Sequence, residues 1–268
     1  MINSGIEHVT YGALPAIRVT APDGAQAIIT LFGAHLLSWT TPEGKERLFL
    51  SECSPMDGSA AIRGGVPVIF PQFSTRGDGQ RHGLARLSSW RLGEHGADAE
   101  GVQVEFELTQ ADVPGQLAAG WPHDFALRLR FALRGNALQM RFNVRNTGQS
   151  SFDFASALHT YYAAGDFLKS ALHGLEPGPI AFGPPLDNIY AAPQELELHT
   201  AVSKLLLQQQ GFSEWVVWNP GAENAARLTD MADHEWREFV CIEPARVDQK
   251  ELKAGAEWTG LHTITAIP

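Results

Sequence analysis

The most restrictive feature of the chain is a pair of alternating runs joined by a Gly-Asn turn. Phe125, Leu127, Leu129, Phe131 and Leu133 alternate with Arg128 and Arg130. After Gly135-Asn136, Leu138, Met140, Phe142 and Val144 alternate with Gln139, Arg141, Asn143 and Arg145. Successive side chains of a strand point to opposite faces, so each run has one apolar and one polar face, and the turn between them signals a hairpin. A second turn, Asn146-Thr-Gly148, leads into Phe152–Tyr162, which again has period two. An antiparallel meander with one wet face must bury the other against a partner layer.

The rest of the chain supplies that partner. Ile17–Thr20, Ala27–Leu31, His35–Trp39, Leu48–Leu50, Val66–Phe70, Val102–Leu108, Leu205–Leu207, Trp215–Trp218, Phe239–Ala245 and Leu261–Ile267 read as short strands. Pro22-Asp-Gly24 and Pro42-Glu-Gly44 read as turns, and Ala222 to Glu238 holds one or two helical turns. The fold class expected is all-β: a large antiparallel sandwich of two stacked sheets with little helix. No linker or repeat divides residues 1–268, so one domain is expected. Charged residues are 19% and hydrophobic ones 44%, enough for a sizeable core. The net charge of −10 argues against nucleic-acid and anionic-membrane partners. Cys53 and Cys241 form neither a metal-type spacing nor a disulfide framework, which points to a reducing cytoplasm. The first residues have no signal-peptide pattern, and no uncharged apolar run reaches the ~18 residues of a membrane span.

Two strands carry candidate chemistry. In Phe152–Tyr162, Asp153, Ala155, Ala157, His159 and Tyr161 share a face, and the two alanines leave room beside an imidazole and a phenol. A lone histidine is more often a satisfied core residue, and His35, at a strand start, is read that way. Glu243 moves the argument for His159. It sits beside Cys241 on the inward parity of a short apolar strand that Pro244 is expected to end, where a carboxylate is costly unless paired or working. An imidazole and a carboxyl on strand ends are the parts of general acid–base chemistry.

The segment from Ile62 to Arg91 has five arginines (Arg63, Arg76, Arg81, Arg86, Arg91) and one acid, Asp78, within an acidic chain. Such a run is as often a solvated edge. Gly64-Gly65, which lets backbone approach a ligand closely, and the neighbouring His82 tilt the reading towards an anion site. Asp187, before Tyr190 on a Pro-rich loop, reads as a turn residue or a ligand contact.

Arg63-Gly-Gly-Val-Pro-Val-Ile-Phe-Pro71, Arg81-His-Gly-Leu-Ala-Arg86, Leu158-His-Thr-Tyr161, Asp187-Asn-Ile-Tyr190, Val217-Trp-Asn-Pro220 and Cys241-Ile-Glu-Pro244 follow one another in order. Together they resemble the glucose-6-phosphate 1-epimerase (D-hexose-6-phosphate mutarotase) branch of the aldose 1-epimerases. The resemblance implies a galactose mutarotase-like sandwich and cofactor-independent exchange of the α and β anomers of a hexose 6-phosphate. It implies Glu243 as the base at the C1 hydroxyl and His159 as the acid at the ring oxygen. It implies Arg63 and Arg86 as phosphate ligands, with His82 and Asp187 on the sugar. The family usually has Pro-Gln-His-Gly where this chain has Gln80-Arg81-His82-Gly83, so Arg81 puts a positive charge at a substrate contact. The substrate is then a sugar phosphate, and a monomer without a metal is expected.

Three other readings fit parts of the pattern. His82, His159 and Glu243 could chelate a metal as in cupin-like isomerases, but none of the ten histidines forms the His-x-His pair such sites favour. The chain could be a non-catalytic carbohydrate-binding sandwich, or an epimerase of free aldoses that uses the arginines for something else.

Overall fold

The alternating runs form the expected hairpin. Phe125–Arg134 pairs with Ala137–Asn146 in unbroken register, from Phe125 opposite Asn146 to Arg134 opposite Ala137. Gly135 takes φ 57°, a left-handed turn conformation open to glycine without a Cβ clash. The structure, a computed structural model, describes residues 5–191 and 193–268. Strand makes up 51% and helix 8%, so sheets alone must build the core.

The hairpin lies within a nine-stranded antiparallel sheet. Its order is Ile180–Ala181, Ala171–His173, Glu195–His199, Lys204–Gln210, Glu257–Ile267, Ala137–Asn146, Phe125–Arg134, Val102–Thr109 and Arg91–Ala97. A six-stranded sheet packs against it. There Leu186–Ala191, Glu214–Asn219, Phe239–Leu252, Phe152–Leu158 and Val68–Ile69 lie side by side, and Tyr161–Ala163 also pairs with Phe239–Leu252. Residues 5–40 form a separate four-stranded meander, a third sheet that strand patterning does not distinguish from the other two. Leu48 and Leu50 form isolated bridges, to Tyr162 and Gly64, in place of the expected strand.

Alternation then sorts the six-stranded sheet into two faces. Phe154 meets Trp258, Phe70 meets Phe125 and Trp215 meets His262, all across the sheet–sheet interface. The Tyr162 hydroxyl bonds His262 Nε2 at 2.8 Å, and His262 Nδ1 donates to the Gln208 carbonyl at 2.8 Å, so this buried polar bridge is satisfied at both ends. These residues share one continuous apolar core running from Ile17 to Ala266. The residues between them, Tyr161, Cys241 and Glu243, point to the outer face.

Three local expectations change. Pro244 does not end its strand, which runs on to Leu252. The Ile242 N–H points to Thr160 O at 3.3 Å, so two residues later the donor missing from Pro244 faces the break between Phe152–Leu158 and Tyr161–Ala163. A proline is tolerated where the ladder is already interrupted. Ala155 and Ala157 leave no open space, because Ile69, Phe73, Val216, Ala245 and Val247 cover them. Asp187 lies on a strand, Leu186–Ala191, instead of a loop. As expected between Ala222 and Glu238, one short helix, Gly221–Ala225, and one 3-10 turn, Glu235–Arg237, form.

Candidate active site

Strand register assembles the site. Across the outer face of the six-stranded sheet, Asp187 lies opposite Trp218, Trp218 opposite Cys241, and Cys241 opposite Tyr161. Glu243 is two residues along from Cys241 and shares its face. His159 follows the end of Phe152–Leu158, held by its N–H on the Pro67 carbonyl at 3.0 Å. The loop from Arg63 to Arg86 folds over this face, and the segment around Asp230 closes it from the other side.

His159 Nδ1 lies 3.1 Å from Glu243 Oε1, with side-chain exposures of 10% and 1%. The contact lacks hydrogen-bond alignment, and Glu243 Oε2 is buried with no hydrogen-bond partner among the described residues. An orphaned carboxyl oxygen in a folded interior calls for a ligand, since leaving it unmet costs about 1–3 kcal/mol. Tyr161 stacks on His159 with centroids 4.8 Å apart and planes at 11°, while Trp218 meets the imidazole edge-on. Burial, and then the negative charge of Asp187, push the Glu243 carboxyl well above the usual carboxylate range. Burial holds His159 well below the ordinary imidazole value, with His82, Arg63 and Arg86 adding to the effect. Both directions disfavour an imidazolium–carboxylate ion pair and favour the neutral forms of the two groups. Nδ1 faces Glu243, which leaves the Nε2 edge for the cavity that His159 helps to line.

That cavity holds about 80 Å³ among Arg63, Arg81, His82, Arg86, His159, Tyr161 and Asp230. At roughly 30 Å³ per water it suits a few waters or one phosphate-sized group. Arg63 is already engaged: Nε and Nη2 fork onto the Asp230 carboxylate at 3.0–3.2 Å, and Nη1 donates to the Tyr161 hydroxyl at 3.0 Å. Against the cost of burial, Tyr161 and Asp230 hold its pKa above the ordinary arginine value. Arg86 is different. It donates to the Arg81 carbonyl at 3.0 Å, its Nε is buried without a partner, and it has no carboxylate partner among the described residues. Burial, with Arg63 and Arg81 nearby, depresses its pKa to about 10. His82 sits at φ 62° and its Nδ1 accepts from the Ser74 N–H at 3.3 Å, so its proton is on Nε2. Burial, followed by Arg86, Arg81 and Arg63, lowers its pKa to about 3.

The sequence candidates His159, Glu243, Arg63, Arg81, His82 and Arg86 converge, with Asp187 at the exposed rim and felt by Glu243 through its charge. Gly64-Gly65 serves another purpose than ligand approach. A Cβ at Gly64 would lie 2.6 Å from Leu50 Cα, and one at Gly65 would collide with the Leu36 carbonyl. These glycines let the Arg63 loop pack on neighbouring chain, and His35, bonded to the Gly64 carbonyl at 2.8 Å, braces it as a structural residue. Asp230, Tyr161 and Trp218 are additional site members. Tyr161 was readable from its parity with His159, whereas nothing local marks Asp230.

The chelating set His82, His159 and Glu243 does not form, since His82 Nδ1 is taken by Ser74 and its ring is tilted 60° to that of His159. The fold instead brings Cys241 to the pair, with the ligand atoms of His159, Cys241 and Glu243 all within 4.8 Å of one another. Burial and the neighbouring Glu243 push that thiol well above its ordinary range.

Residues 15–175 match the sequence profile of the Aldose 1-epimerase family. A protein of Cenchrus ciliaris provisionally named glucose-6-phosphate 1-epimerase is 31% identical, the match covering 90% of this chain and 82% of that one. An Escherichia coli K12 protein with the same provisional name is 33% identical over 84% of this chain and 81% of its own. In solved structures, the provisionally named mutarotase YeaD of Salmonella typhimurium superposes with a TM-score of 0.86 at 28% identity, covering 98% of this chain and 93% of that one. Galactose 1-epimerase of Lactobacillus acidophilus shares the fold with a TM-score of 0.72, at 14% identity and 98% coverage of both chains. With the family profile spanning more than half of the sequence and these relatives spanning most of it, the chain belongs to the aldose 1-epimerase family.

Proposed function

We propose that the protein interconverts the α and β anomers of a hexose 6-phosphate, glucose 6-phosphate foremost, by opening and reclosing the pyranose ring. The observation that carries this reading is the buried His159–Glu243 pair placed beside an arginine cavity. Glu243 Oε2, the orphaned oxygen, takes the proton of the C1 hydroxyl. His159 Nε2 delivers a proton to the ring oxygen, the C1–O5 bond breaks and the open aldehyde forms. Rotation about C1–C2 and reclosure from the other face reverse both transfers. Each such group typically contributes ~10²–10⁴-fold. The two proton transfers and the cleavage of C1–O5 leave the oxidation state of C1 unchanged, so the step needs no redox cofactor.

Arg86 and Arg81, together with the donors Arg63 has left after Asp230 and Tyr161, hold the phosphate. The Nε2–H of His82 and the carboxylate of Asp187 contact sugar hydroxyls. The space for a phosphate is open, but Glu243 is covered, so the sugar enters by displacing side chains over the carboxyl. The reading takes the chain as one domain and a monomer. It takes the reducing cytoplasm as its compartment, in keeping with two free cysteines; no helix among the described residues is long and apolar enough to cross a membrane.

Two-dimensional exchange NMR on the C1 protons tests the substrate. Enzyme-dependent exchange between the anomers of glucose 6-phosphate, well above that of glucose, is expected. Equal enhancement of both would make the protein an epimerase of free aldoses, and none would leave a binding sandwich.

A further inference from the structure

The charges around the resting pair oppose the ionisation state the proposed chemistry needs. Ring opening needs an ionised Glu243 and a protonated His159, yet the surroundings favour the opposite. Three cations border the cavity that His159 lines, Arg63, Arg81 and Arg86, against a single carboxylate, Asp230. The imbalance is therefore +2, which is the charge a phosphate monoester brings with opposite sign, about −1.5 to −2 at neutral pH. On the other side of the pair, Asp187 opposes ionisation of Glu243. Cys241 and Tyr161 are neutral there, and His82, whose ring centroid is 5.6 Å from that of His159, is neutral too.

Resting on the reading of this site as a hexose-phosphate epimerase, we propose that the substrate's phosphate is an activator as well as a handle. An anion seated among Arg63, Arg81 and Arg86 shifts the balance of the pair from neutral His159 and Glu243 towards imidazolium and carboxylate. Once the two side chains rotate into alignment over their 3.1 Å separation, the O–H bond at Glu243 Oε1 breaks and an N–H bond forms at His159 Nδ1, with no other reactant. The imidazolium then offers an acidic Nε2–H to the ring oxygen, and Glu243 becomes a carboxylate able to accept from the C1 hydroxyl. Two observations make the anion separable from the sugar. The cavity among the arginines is open although Glu243 is covered, and Arg86 is a cation with no carboxylate partner among the described residues.

The test supplies the substrate in two pieces. Glucose anomerisation is followed by polarimetry with phosphite dianion added in trans, after subtracting the enzyme-free rate at each phosphite concentration. Turnover of glucose 6-phosphate is measured in parallel with the same phosphite. One pKa unit gained by the acid is about a tenfold gain in competent pairs, so at least a tenfold rise in the enzyme-dependent glucose rate is expected. It should saturate at the phosphite concentration that half-inhibits glucose 6-phosphate turnover, and Arg86→Gln should abolish it. Phosphite that inhibits the phosphate ester yet leaves the glucose rate unchanged overturns the proposal and spares the function. Phosphite without any effect removes the anion site and the proposal together, and no turnover of glucose 6-phosphate removes the function itself.

Discussion

Replacing Arg86 by Gln separates affinity from stability in a way the arginine pattern alone does not suggest. The guanidinium has no carboxylate partner among the described residues, its Nε is orphaned there, and burial lowers its pKa from 12.5 to about 10. At 1.36 kcal/mol per unit, that depression corresponds to roughly 3 kcal/mol of strain in the charged state, or about 1–2 kcal/mol after discounting for its partial exposure. Glutamine removes the charge and keeps a polar, though shorter, side chain at the cavity edge, so the variant should be more stable by that amount. At about 2–4 °C per kcal/mol for a chain of this size, Tm should rise by roughly 2–8 °C. The same change removes charge-assisted hydrogen bonds to phosphate, worth about 1.5–3 kcal/mol. KM for glucose 6-phosphate should therefore rise by roughly 10–150-fold, with little change for glucose. The assay couples the β anomer to a dehydrogenase, alongside a thermal melt. A lower Tm, or an equal loss on both sugars, would refute the reasoning.

Other changes should behave differently. Arg63→Ala strands the Asp230 carboxylate and removes the donor to the Tyr161 hydroxyl, so it should destabilise by about 1–3 kcal/mol besides weakening phosphate binding; a melt matching that of wild type would contradict this. His159→Asn and Glu243→Gln should each lower kcat by about 10²–10⁴-fold while the circular dichroism spectrum stays unchanged, and wild-type rates in either variant would remove the acid–base pair. Stability should fall with acid. His35 and His262 have folded pKa values of about 4, and His82 about 3, all depressed by burial below the 6.5 of an unfolded chain. The unfolded state takes up these protons first, so stability present above pH 6.5 is lost as the pH drops towards 4, by up to about 3 kcal/mol per histidine. A Tm flat across that window would show that these rings protonate freely in the fold.

Much of the architecture was legible because period-two alternation and a Gly-Asn turn leave a chain few options. His159 and Glu243 were legible because a carboxylate among apolar residues is costly and therefore informative. Contacts made by long-range closure were not. Asp230 lies among other acids in an irregular stretch, and only the fold carries it to Arg63, 167 residues away. The unequal standing of Arg63 and Arg86 follows from that one pairing, so the sequence treats alike two residues that the structure separates. The alanine face suggested open space, because local pattern does not reveal that Phe73 returns from a loop to cover it. Pro244 looked like a strand end for a related reason: the interrupted neighbour that tolerates it is itself a tertiary feature.

The measurement that bears most directly on the account is the approach of freshly dissolved α-glucose 6-phosphate to anomeric equilibrium, followed through a dehydrogenase that consumes only the β anomer. Wild-type protein should accelerate that approach far beyond the spontaneous rate, and Glu243→Gln should return it nearly to that rate. A progress curve that wild-type protein leaves unchanged would contradict the claim that the His159–Glu243 pair opens the sugar ring.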